Sequence, residues 1–388
     1  MRVLERVADV PGLRALLALA ERRPEPLWLV GGAVRDALLE REPRDLDVVV
    51  EGDALAVAHA LGEVVAEHER FGTAEVRVDE AKVNLAAART ETYPRPGALP
   101  EVRLGATIEE DLRRRDFTIN AIAVSLTDGR EVAFPGARED VARRWLRVLH
   151  DASFVDDPTR IYRMVRYARR LGLEIEPDTA RLARAAVEGG ALYTLTRDRI
   201  AAELRVMLAE PDPAGTIAAA HEWVGRAAPA VDPEVARAAL ALLDGEGRPE
   251  IVLVASGCLG DERAAARDIQ WFDESRPARR RAREAARAPE LAAALKAAER
   301  PSQIAEAAAG RPVEAVALAG ALGADEPARR WLRELRHVRL EIDGRDVMAA
   351  GVPQGPQVRA ALRRALAARL DGTIAPGREA ELAAALDR

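Results

Sequence analysis

The sequence predicts an α+β fold in which a small mixed-sheet head is followed by an elongated, all-α remainder. Short apolar runs bounded by glycine and charged residues predict strands in the first part of the chain. From Asp140 onward nearly every segment has the apolar period of a helix, and proline and glycine divide it into short helices. At 388 residues the chain is also longer than one compact core usually supports. We therefore expect two or more domains.

In the predicted head, helices and strands alternate along the chain. A helix carrying Leu13, Leu16, Leu17 and Ala20 leads to a strand at 27–30, and two glycines then break the chain before a helix at 33–39. The further expected elements are a strand at 45–50, a helix at 54–61, strands at 64–67, 74–78, 83–88 and 119–126, and a loop at 89–113 that is rich in proline and glycine at 93–100.

The helical remainder is best seen at residues 160–171. Its apolar stripe is formed by Ile161, Met164, Val165, Ala168 and Leu171, and the opposite side carries Arg160, Arg163, Tyr167 and Arg170. We predict a catalytic head at residues 1–137, a helical neck that selects the nucleotide at 138–210, and a helical body and tail that bind RNA at 211–388.

Composition excludes several classes of protein. Cys258 is the single cysteine, which rules out an intramolecular disulfide and a zinc site built from cysteines. No apolar run approaches the roughly 20 residues that span a bilayer, and residues 1–6 lack a signal-peptide core, so we expect a cytoplasmic protein with no membrane partner. The formal net charge of −6 leaves the partner open, because nucleic-acid binding depends on where the arginines lie.

Two glycines and two aspartates in the head predict a phosphate-and-metal site. Asp45 and Asp47 alternate along a strand and share one face, where two carboxylates can bind Mg²⁺ ions that assist phosphoryl transfer. Gly31 and Gly32 lack Cβ atoms and let a triphosphate approach the backbone, and Arg35 adds charge one turn later. Alone, the glycines indicate only a tight turn and the aspartates only a solvated edge strand. Their occurrence within 17 residues favours the site.

The same segment resembles a known family. Residues 29–36 (LVGGAVRD) and 44–47 (RDLD) are similar to the first signature of class II tRNA nucleotidyltransferases and related bacterial poly(A) polymerases, in the polymerase-beta superfamily. The resemblance implies that Asp45 and Asp47 bind the catalytic metals and that one of them activates the 3′-hydroxyl of the primer. A third carboxylate often joins this pair in the superfamily. The matching strand here carries Asn84, which we do not assign as a ligand.

A second motif indicates a ribonucleotide substrate. Residues 114–120 (RRDFTIN) resemble the ribose-recognition motif of the family, which implies that Arg115 and Asp116 contact the sugar and that Asn120 supports them near the phosphates. The chemistry agrees, because a carboxylate or amide can bind the 2′-hydroxyl that distinguishes RNA from DNA.

A third motif, residues 156–160 (DDPTR), places a carboxylate and an arginine on one side of a helix, where they can pair with the Watson–Crick edge of C or A. By resemblance, Asp157 and Arg160 read the base. The motif departs from the family at Asp156, where the family has glutamate. Asp157 before Pro158 is also a good helix cap, so a purely structural role stays open.

The last motif of this part is residues 196–203 (TRDRIAAE). In the family its arginine and glutamate, here Arg199 and Glu203, form an i, i+4 pair that braces the helix that reads the base. We include Arg199 and Arg163 among the expected nucleotide-binding residues. The loop at 89–113 corresponds to a flexible family element that is shortened in enzymes that stop after CC; here it has full length, which favours CCA or A-only addition.

Basic clusters in the remainder predict RNA contacts. Six arginines lie within residues 276–287, and others follow at Arg359, Arg363, Arg364 and Arg369. Residues 340–348 with later glycines resemble the tail with which CCA-adding enzymes hold the tRNA elbow. A run of arginines is a solvent-exposed helix face without a ligand at least as often as it is an RNA-binding site.

Together the motifs predict template-independent addition of C and/or A from CTP and ATP to the 3′ end of tRNA, with Mg²⁺. The alternatives are an enzyme that adds only A or only CC, a poly(A) polymerase, and a catalytically inactive RNA-binding protein. No protein partner is inferred.

Overall fold

A computed structural model describes residues 3–43, 45–78 and 81–387. Arg44 of the first signature lies outside these residues. The chain folds into two compact units, Met1–Glu203 and Leu204–Arg388. A mixed sheet lies in the first unit and helices dominate the second, which confirms the α+β prediction. The finer division into head, neck, body and tail stays a prediction.

The first unit is built on a sheet that has seven strands in the described residues, in the order β3-β4-β5-β2-β1-β8-β9. The strands are β1 (Leu27–Val30), β2 (Leu46–Val50), β3 (Glu63–His68), β4 (Thr73–Val78), β5 (Ala81–Ala87), β8 (Ile122–Ser125) and β9 (Glu131–Ala133). Two short pairs lie outside it: β6 (Arg89–Thr92) with β7 (Glu101–Leu104), and β10 (Trp145–Leu146) with β11 (Glu174–Ile175).

The described residues of this unit also form ten α-helices. They are α1 (Val3–Arg6), α2 (Leu13–Ala20), α3 (Gly32–Leu38), α4 (Ala54–Leu61), α5 (Ile108–Arg113), α6 (Ala137–Arg143), α7 (Ser153–Asp156), α8 (Thr159–Leu171), α9 (Pro177–Glu188) and α10 (Arg197–Leu208), which crosses the boundary between the units. Short 3₁₀ helices occupy Glu69–Phe71, Thr118–Asn120 and Ala191–Thr194.

Strand pairing fixes which side chains share a face of the sheet. Val30 of β1 lies opposite Asp47 of β2 in an antiparallel pair, and Asp47 lies opposite Asn84 of β5 in a parallel pair. Residues directly opposite one another point to the same face. Helices α3 and α4 contact the sheet, and α5 packs with Trp28, Val30 and other residues in a buried apolar cluster.

Two sequence predictions in this unit were wrong. Residues 89–113 are not a continuous loop, because β6 and β7 form an antiparallel hairpin and α5 follows; only 93–100 connects strands without regular structure. The helix was missed although Thr107 and Glu110 form a capping box at its start. The strand expected at 119–126 begins only at Ile122, because residues 118–120 form a 3₁₀ turn.

The second unit is helical. Its helices are α11 (Pro213–Val224), α12 (Pro233–Leu243), α13 (Pro249–Ser256), α14 (Glu262–Asp268), α15 (Arg276–Ala286), α16 (Ala288–Lys296), α17 (Pro301–Ala307), α18 (Val313–Ala319), α19 (Asp325–Arg333), α20 (Gly344–Ala349), α21 (Pro356–Leu370) and α22 (Arg378–Leu386). Short 3₁₀ turns at Gly225–Ala227, Ile269–Trp271 and Leu335–His337 and a π turn at Gly320–Ala324 connect some of them. No helix in the described part of the chain is long and apolar enough to cross a membrane.

Candidate active site

A cavity of about 600 Å³ in the first unit brings together every site residue predicted from the sequence. They are Gly31, Gly32, Arg35, Asp45, Asp47, Arg115, Asp116, Asn120, Asp157, Arg160, Arg163 and Arg199. Arginines outnumber carboxylates in the lining by nine to six, so the cavity suits a polyanion such as a triphosphate. We call the part around Gly31, Asp45 and Asp47 the glycine end, and the part around Asp157 and Arg160 the arginine end.

The turn between β1 and α3 requires a glycine at its first position. Gly31 has a φ of +66°, which residues with a side chain rarely adopt. A Cβ at Gly31 would lie 3.4 Å from Nη1 of Arg115 and 3.5 Å from Oδ2 of Asp47. A side chain here would therefore occupy the space in front of the carboxylate. The glycine leaves that space open to a phosphate group.

Asp45 and Asp47 reach the cavity from the start of β2. Asp45 immediately precedes the strand and is exposed, whereas Asp47 is half-buried. Nδ2 of Asn84 donates a hydrogen bond to Oδ1 of Asp47 at 3.0 Å. One oxygen of Asp47 is thus fixed by its neighbour in the sheet, and the other, Oδ2, faces Gly31.

This donor set fits a hard divalent cation. Carboxylate oxygens are ligands that Mg²⁺ prefers, and Mg²⁺ is usually bound through one or two carboxylates, with substrate phosphates and water completing its shell. Asp45 and Asp47 provide such a pair beside the open space at Gly31. Across the described residues there is no cluster of three or more His, Cys, Asp or Glu side chains that could hold a metal. Asn84 acts as a donor to Asp47, in keeping with its omission from the ligand set.

A chain of hydrogen bonds runs from Arg35 into the centre of the cavity. Arg35 is only 4% exposed, and its Nε donates to Oδ1 of Asp36 at 2.8 Å. Nη1 of Arg35 donates to Oδ1 of Asn120 at 2.9 Å, and Nδ2 of Asn120 donates to Oδ1 of Asp116 at 3.0 Å. Asn120 therefore links the buried guanidinium of Arg35 to the buried carboxylate of Asp116.

Asp116 is buried but ionised. Its Oδ1 also accepts the backbone N–H of Phe117 at 2.9 Å, and its Oδ2 accepts Nη1 of Arg163 at 3.3 Å. Burial alone would raise the pKa of Asp116, but Arg163 and the hydrogen bond from Asn120 outweigh it and hold the pKa below its ordinary value. Asp116 is therefore a hydrogen-bond acceptor at neutral pH.

Asp157 lies in surroundings that suit both of the roles that the sequence left open. Oδ1 accepts hydrogen bonds from the backbone N–H of Thr159 at 3.1 Å and from the Thr159 hydroxyl at 2.6 Å. The bond from the backbone N–H is the contact that a helix-capping residue makes. Oδ1 also accepts Nη2 of Arg199 at 2.8 Å, while Oδ2 accepts Nη2 of Arg163 at 2.6 Å. Asp157 thus caps α8 and lines the cavity between two arginines.

Arg163 joins two of the buried carboxylates of the cavity, Asp116 and Asp157. It donates to both Asp116 and Asp157 from α8. Burial alone would lower the pKa of Arg163, but the two carboxylates outweigh it and raise the pKa above its ordinary value. The guanidinium therefore stays charged and fixes the distance between the ribose motif and the base-reading motif.

Arg160 is held from three sides at the arginine end. It is 2% exposed, and its Nη1 donates to Oγ of Ser153 at 2.6 Å. Its Nη2 donates to the carbonyl of Arg114 at 3.1 Å and to the hydroxyl of Tyr93 at 3.4 Å. Its Nε is buried and has no hydrogen-bond partner among the described residues. Burial raises the pKa of Tyr93, so its hydroxyl is uncharged.

Arg199 connects the arginine end to the hairpin of β6 and β7. Its Nη1 donates to the carbonyl of Gly97 at 2.6 Å, while its Nη2 binds Asp157. The N–H of Gly97 donates to the carbonyl of Asp156 at 3.1 Å. A Cβ on Gly97 would overlap Oγ1 of Thr194, so only glycine allows this approach. The tip of the hairpin is therefore in contact with the residues expected to read the base.

The i, i+4 pair expected between Arg199 and Glu203 is replaced by other contacts. Oε1 of Glu203 lies 3.7 Å from Nε of Arg163, whereas Arg199 binds Asp157 and Gly97. Burial raises the pKa of Glu203 although Arg163 opposes the shift. Glu203 thus contacts the cavity through Arg163, and Arg199 contacts it through Asp157.

The sequence reasoning missed part of the lining. The additional residues are Asp36, Arg89, Glu91, Tyr93, Leu99, Pro100, Arg114, Arg166, Tyr167 and Arg170. Tyr167 and Arg170 lie on the side of α8 opposite its apolar stripe, which was the available signal. The guanidinium groups of Arg35 and Arg166 lie over the ring of Tyr167, with their Cζ atoms 5.4 Å and 4.6 Å from the ring centre. The residues from the hairpin were missed because that segment was expected to be a loop.

Known proteins share both the head and the fold. Residues 27–147 match the family described as "Poly A polymerase head domain". Over 190 residues, 47% of this chain and 23% of the relative, the sequence is 44% identical to an A-adding tRNA nucleotidyltransferase of Aquifex aeolicus. Over 229 residues, 55% of this chain and 59% of the relative, it is 40% identical to a CC-adding tRNA nucleotidyltransferase of Deinococcus radiodurans. The chain thus spans less than two thirds of the length of these relatives.

A solved complex of a CCA-adding enzyme with ATP has a similar fold, with a TM-score of 0.81 and 26% identity over 100% of this chain and 99% of that chain. The fold of residues 27–147 and the part of the cavity that they line are thus those of a chain similar to a poly(A) polymerase head domain. The matched part of the chain resembles class II tRNA nucleotidyltransferases and poly(A) polymerases, as its signatures predict.

Proposed function

We propose that the protein adds C and/or A nucleotides, from CTP and ATP, to the 3′ end of tRNA in a reaction that needs Mg²⁺ and no nucleic-acid template. The observation that carries this proposal is the single cavity that joins Asp45 and Asp47 at one end to Asp157 and Arg160 at the other. The first pair suits phosphoryl transfer and the second suits the choice of a base. The names of the relatives and of the solved complex support tRNA and ATP as substrates.

The chemistry begins at the glycine end. The 3′-hydroxyl of the RNA gives its proton to one of the two carboxylates, Asp45 or Asp47, and its oxygen attacks the α-phosphorus of the nucleotide. A new ester bond forms, and the bond from the α-phosphorus to the β-phosphate oxygen breaks to release pyrophosphate. Asp45 and Asp47 are the residues that would hold a divalent cation, which would supply charge stabilisation to the transfer. Gly31 leaves room for the phosphates, and Arg35 and Arg115 add positive charge beside them.

The centre of the cavity selects a ribonucleotide. The 2′-hydroxyl of the nucleotide donates a hydrogen bond to an ionised carboxylate, and the lowered pKa of Asp116 keeps that group ionised. Arg163 and Asn120 hold Asp116 in place from opposite sides. A deoxynucleotide cannot make this bond, so we expect it to be a poorer substrate.

The arginine end selects the base. Cytosine and adenine each present an amino donor beside a ring-nitrogen acceptor on the Watson–Crick edge, whereas uracil and guanine reverse this pattern. The carboxylate of Asp157 can accept from the amino group while Arg160 donates to the ring nitrogen. The existing contacts of both side chains hold them in fixed orientations, which favours selection by a rigid protein surface.

We propose addition of the complete CCA sequence, with addition of A alone as the second candidate. The hairpin of β6 and β7 is present at full length and contacts the arginine end through Gly97. The 44% identity to an A-adding relative favours the second candidate. The 40% identity to a CC-adding relative keeps addition of CC alone among the possible products.

RNA binding by the helical remainder is part of the proposal, and the structure separates its arginines into two groups. Arg281 binds the buried Glu314 with Nη2 at 2.7 and 2.8 Å, and Arg369 pairs with Glu381 at 3.1 Å. These arginines stabilise helix packing. The exposed ones on α15 and α21 are better placed for phosphate contacts: Arg276, Arg280, Arg283, Arg359, Arg363 and Arg364.

Product analysis tests the proposal. The protein is incubated with Mg²⁺, CTP and ATP, each labelled in turn, and with tRNA that ends at the discriminator base or after CC. CCA addition extends both RNAs to the same end; A-only addition extends only the second, by one nucleotide. Long A tracts on unrelated RNA indicate a poly(A) polymerase. No incorporation on any RNA means that the proposed enzyme activity is wrong and leaves the inactive RNA-binding protein.

A further inference from the structure

The C-terminal end of α8 lies against the loop that leads from α3 into β2. Arg41 of this loop donates from Nη1 to the carbonyl of Arg170 at 3.1 Å and from Nη2 to the carbonyl of Leu171 at 3.3 Å. Both carbonyls belong to the last turn of α8, where no later N–H of the helix can reach them. A cation at this position also interacts favourably with the negative end of the helix dipole. Arg41 therefore caps α8 from a distant segment of the chain.

The turn that ends α3 directs Arg41 towards α8. The N–H of Arg41 donates to the carbonyl of Asp36 at 2.8 Å, and the N–H of Glu40 donates to the carbonyl of Ala37 at 3.3 Å. These two bonds form a Schellman motif, whose left-handed residue is usually glycine. Here it is Glu40, with a φ of +59°. Oε1 of Glu40 accepts Nη2 of Arg6 at 3.0 Å, so the turn is also held from α1.

The two segments that Arg41 joins carry opposite ends of the cavity. Helix α3 begins after the turn at Gly31, and the loop that follows α3 leads to Asp45 at the start of β2. Helix α8 follows Asp157 and contains Arg160 in its first turn. We propose that Arg41 is a positioning residue, which fixes the glycine end relative to α8 and thereby to the arginine end. This inference rests on the proposed function.

The reaction depends on the distance between the two ends. A nucleotide whose base is bound at the arginine end must present its α-phosphorus to the aspartates of the glycine end, and an error of about 1 Å can lower a rate on the order of 100-fold. Arg41 lies outside the described lining of the cavity, so it acts through the loop and α8. Tyr167 of α8 also contacts Arg35 inside the cavity, which makes the contribution of Arg41 a partial one. Loss of Arg41 should therefore slow the transfer and leave nucleotide affinity unchanged.

Arg144 provides a matched control, because it caps the same end of α8. Its Nη2 donates to the carbonyl of Leu171 at 2.7 Å and to the carbonyl of Gly172 at 3.4 Å. Arg144 follows α6 and does not belong to the loop before β2. Arg41→Met and Arg144→Met thus each remove a cap from α8, and the first also removes the contact between α8 and the loop. A role limited to stability predicts the same result for both variants.

Single-turnover incorporation of CMP or AMP into tRNA separates the two roles. We expect the rate to fall roughly five- to tenfold in Arg41→Met and to stay within about twofold of the original in Arg144→Met. The Kd values of CTP and ATP should stay within about twofold in both variants, and the Tm should fall by roughly 1–3 °C in both. Arg41→Lys keeps a cation near the carbonyls and should recover most of the lost rate. Equal rates in Arg41→Met and Arg144→Met would overturn the proposal.

Amide hydrogen exchange of the full chain provides a readout that does not require turnover. Exchange within residues 36–43 should be faster in Arg41→Met than in Arg144→Met, because only the first variant releases the loop from α8. Equal exchange in the two variants would overturn the proposal. Wild-type protein that incorporates no nucleotide would disprove the proposed function, and the exchange rates would still show whether Arg41 fixes the loop against α8. An active wild type with equal rates and equal exchange in the two variants would disprove the inference alone.

Discussion

The two ends of the cavity differ in how tightly their side chains are held. At the glycine end Asp45 is exposed and Asp47 is fixed at one oxygen by Asn84. At the arginine end Asp157 is 7% exposed and accepts hydrogen bonds from Thr159, Arg163 and Arg199. The first end has carboxylate oxygens available for a ligand, and the second consists of groups that already hold one another.

This difference follows from the proposed tasks of the two ends. A carboxylate that binds a cation gains little from strong protein partners, because these would compete with the ion. A group that discriminates between bases must be held rigidly, since a mobile side chain can turn to accept the wrong edge. Substitutions at the glycine end are therefore expected to affect the rate, and substitutions at the arginine end to affect stability and selection.

The largest effect is expected from Asp47→Asn. The substitution retains the shape of the side chain but removes the charge that holds the cation, so kcat should fall by a factor on the order of 10³ or more, about 4 kcal/mol. The unfolding free energy should change little, because Asp47 is half-buried at the mouth of a cavity. Single-turnover incorporation and urea denaturation measure the two quantities. Activity above a tenth of the original would contradict the assignment.

Arg163→Met should reduce stability by roughly 2–4 kcal/mol, because it leaves Asp116 and Asp157 without their shared cation in a buried site. Ionised Asp116, with its lowered pKa, stabilises the fold above pH ~4, and this contribution is lost as the pH falls through the lowered pKa. The difference between wild type and variant should therefore shrink at acidic pH. Denaturation from about pH 2 to about pH 7 measures it. The control Arg181→Met removes an exposed ion pair and should change stability by less than about 0.5 kcal/mol.

Gly97→Ala should lower the free energy of unfolding by about 1–3 kcal/mol. The position has a φ of +67°, and the added Cβ overlaps Thr194, so the hairpin must move away from Arg199. The matched control is Gly105→Ala, where φ is +86° but no atom lies within 4 Å of the Cβ position, so only backbone strain of about 1 kcal/mol applies. Equal losses of stability and equal KM values for ATP in the two variants would show that the Gly97 contact has no role.

Many residues at the two ends of the cavity could be predicted from the sequence, because local residue patterns indicate them. Gly31 and Gly32 after a strand, and Asp45 and Asp47 at the start of the next, indicated a phosphate-and-metal site, and the structure places all four in the lining of one cavity. The helix period of residues 160–171 likewise predicted α8. Such signals depend on neighbours in the chain, so they need no knowledge of the tertiary fold.

Contacts between segments that are distant in the chain could not be predicted from the sequence. The bond between Arg199 and Gly97 joins residues 102 positions apart, and the bond between Arg35 and Asn120 joins residues 85 apart. The hairpin of β6 and β7 was expected as a loop because its strands are short, charged and only partly buried, so they lack the apolar alternation of a core strand.

We propose that the glycine end performs the transfer and that the arginine end selects the base. Equilibrium binding of CTP, ATP, UTP and GTP to Asp47→Asn and Arg160→Lys tests it without turnover. Arg160→Lys retains the positive charge but changes the planar fork of donors. We expect Asp47→Asn to retain its preference for CTP and ATP, and Arg160→Lys to bind all four nucleotides within about threefold of one another. Loss of the preference in Asp47→Asn, or its retention in Arg160→Lys, would contradict the division of tasks.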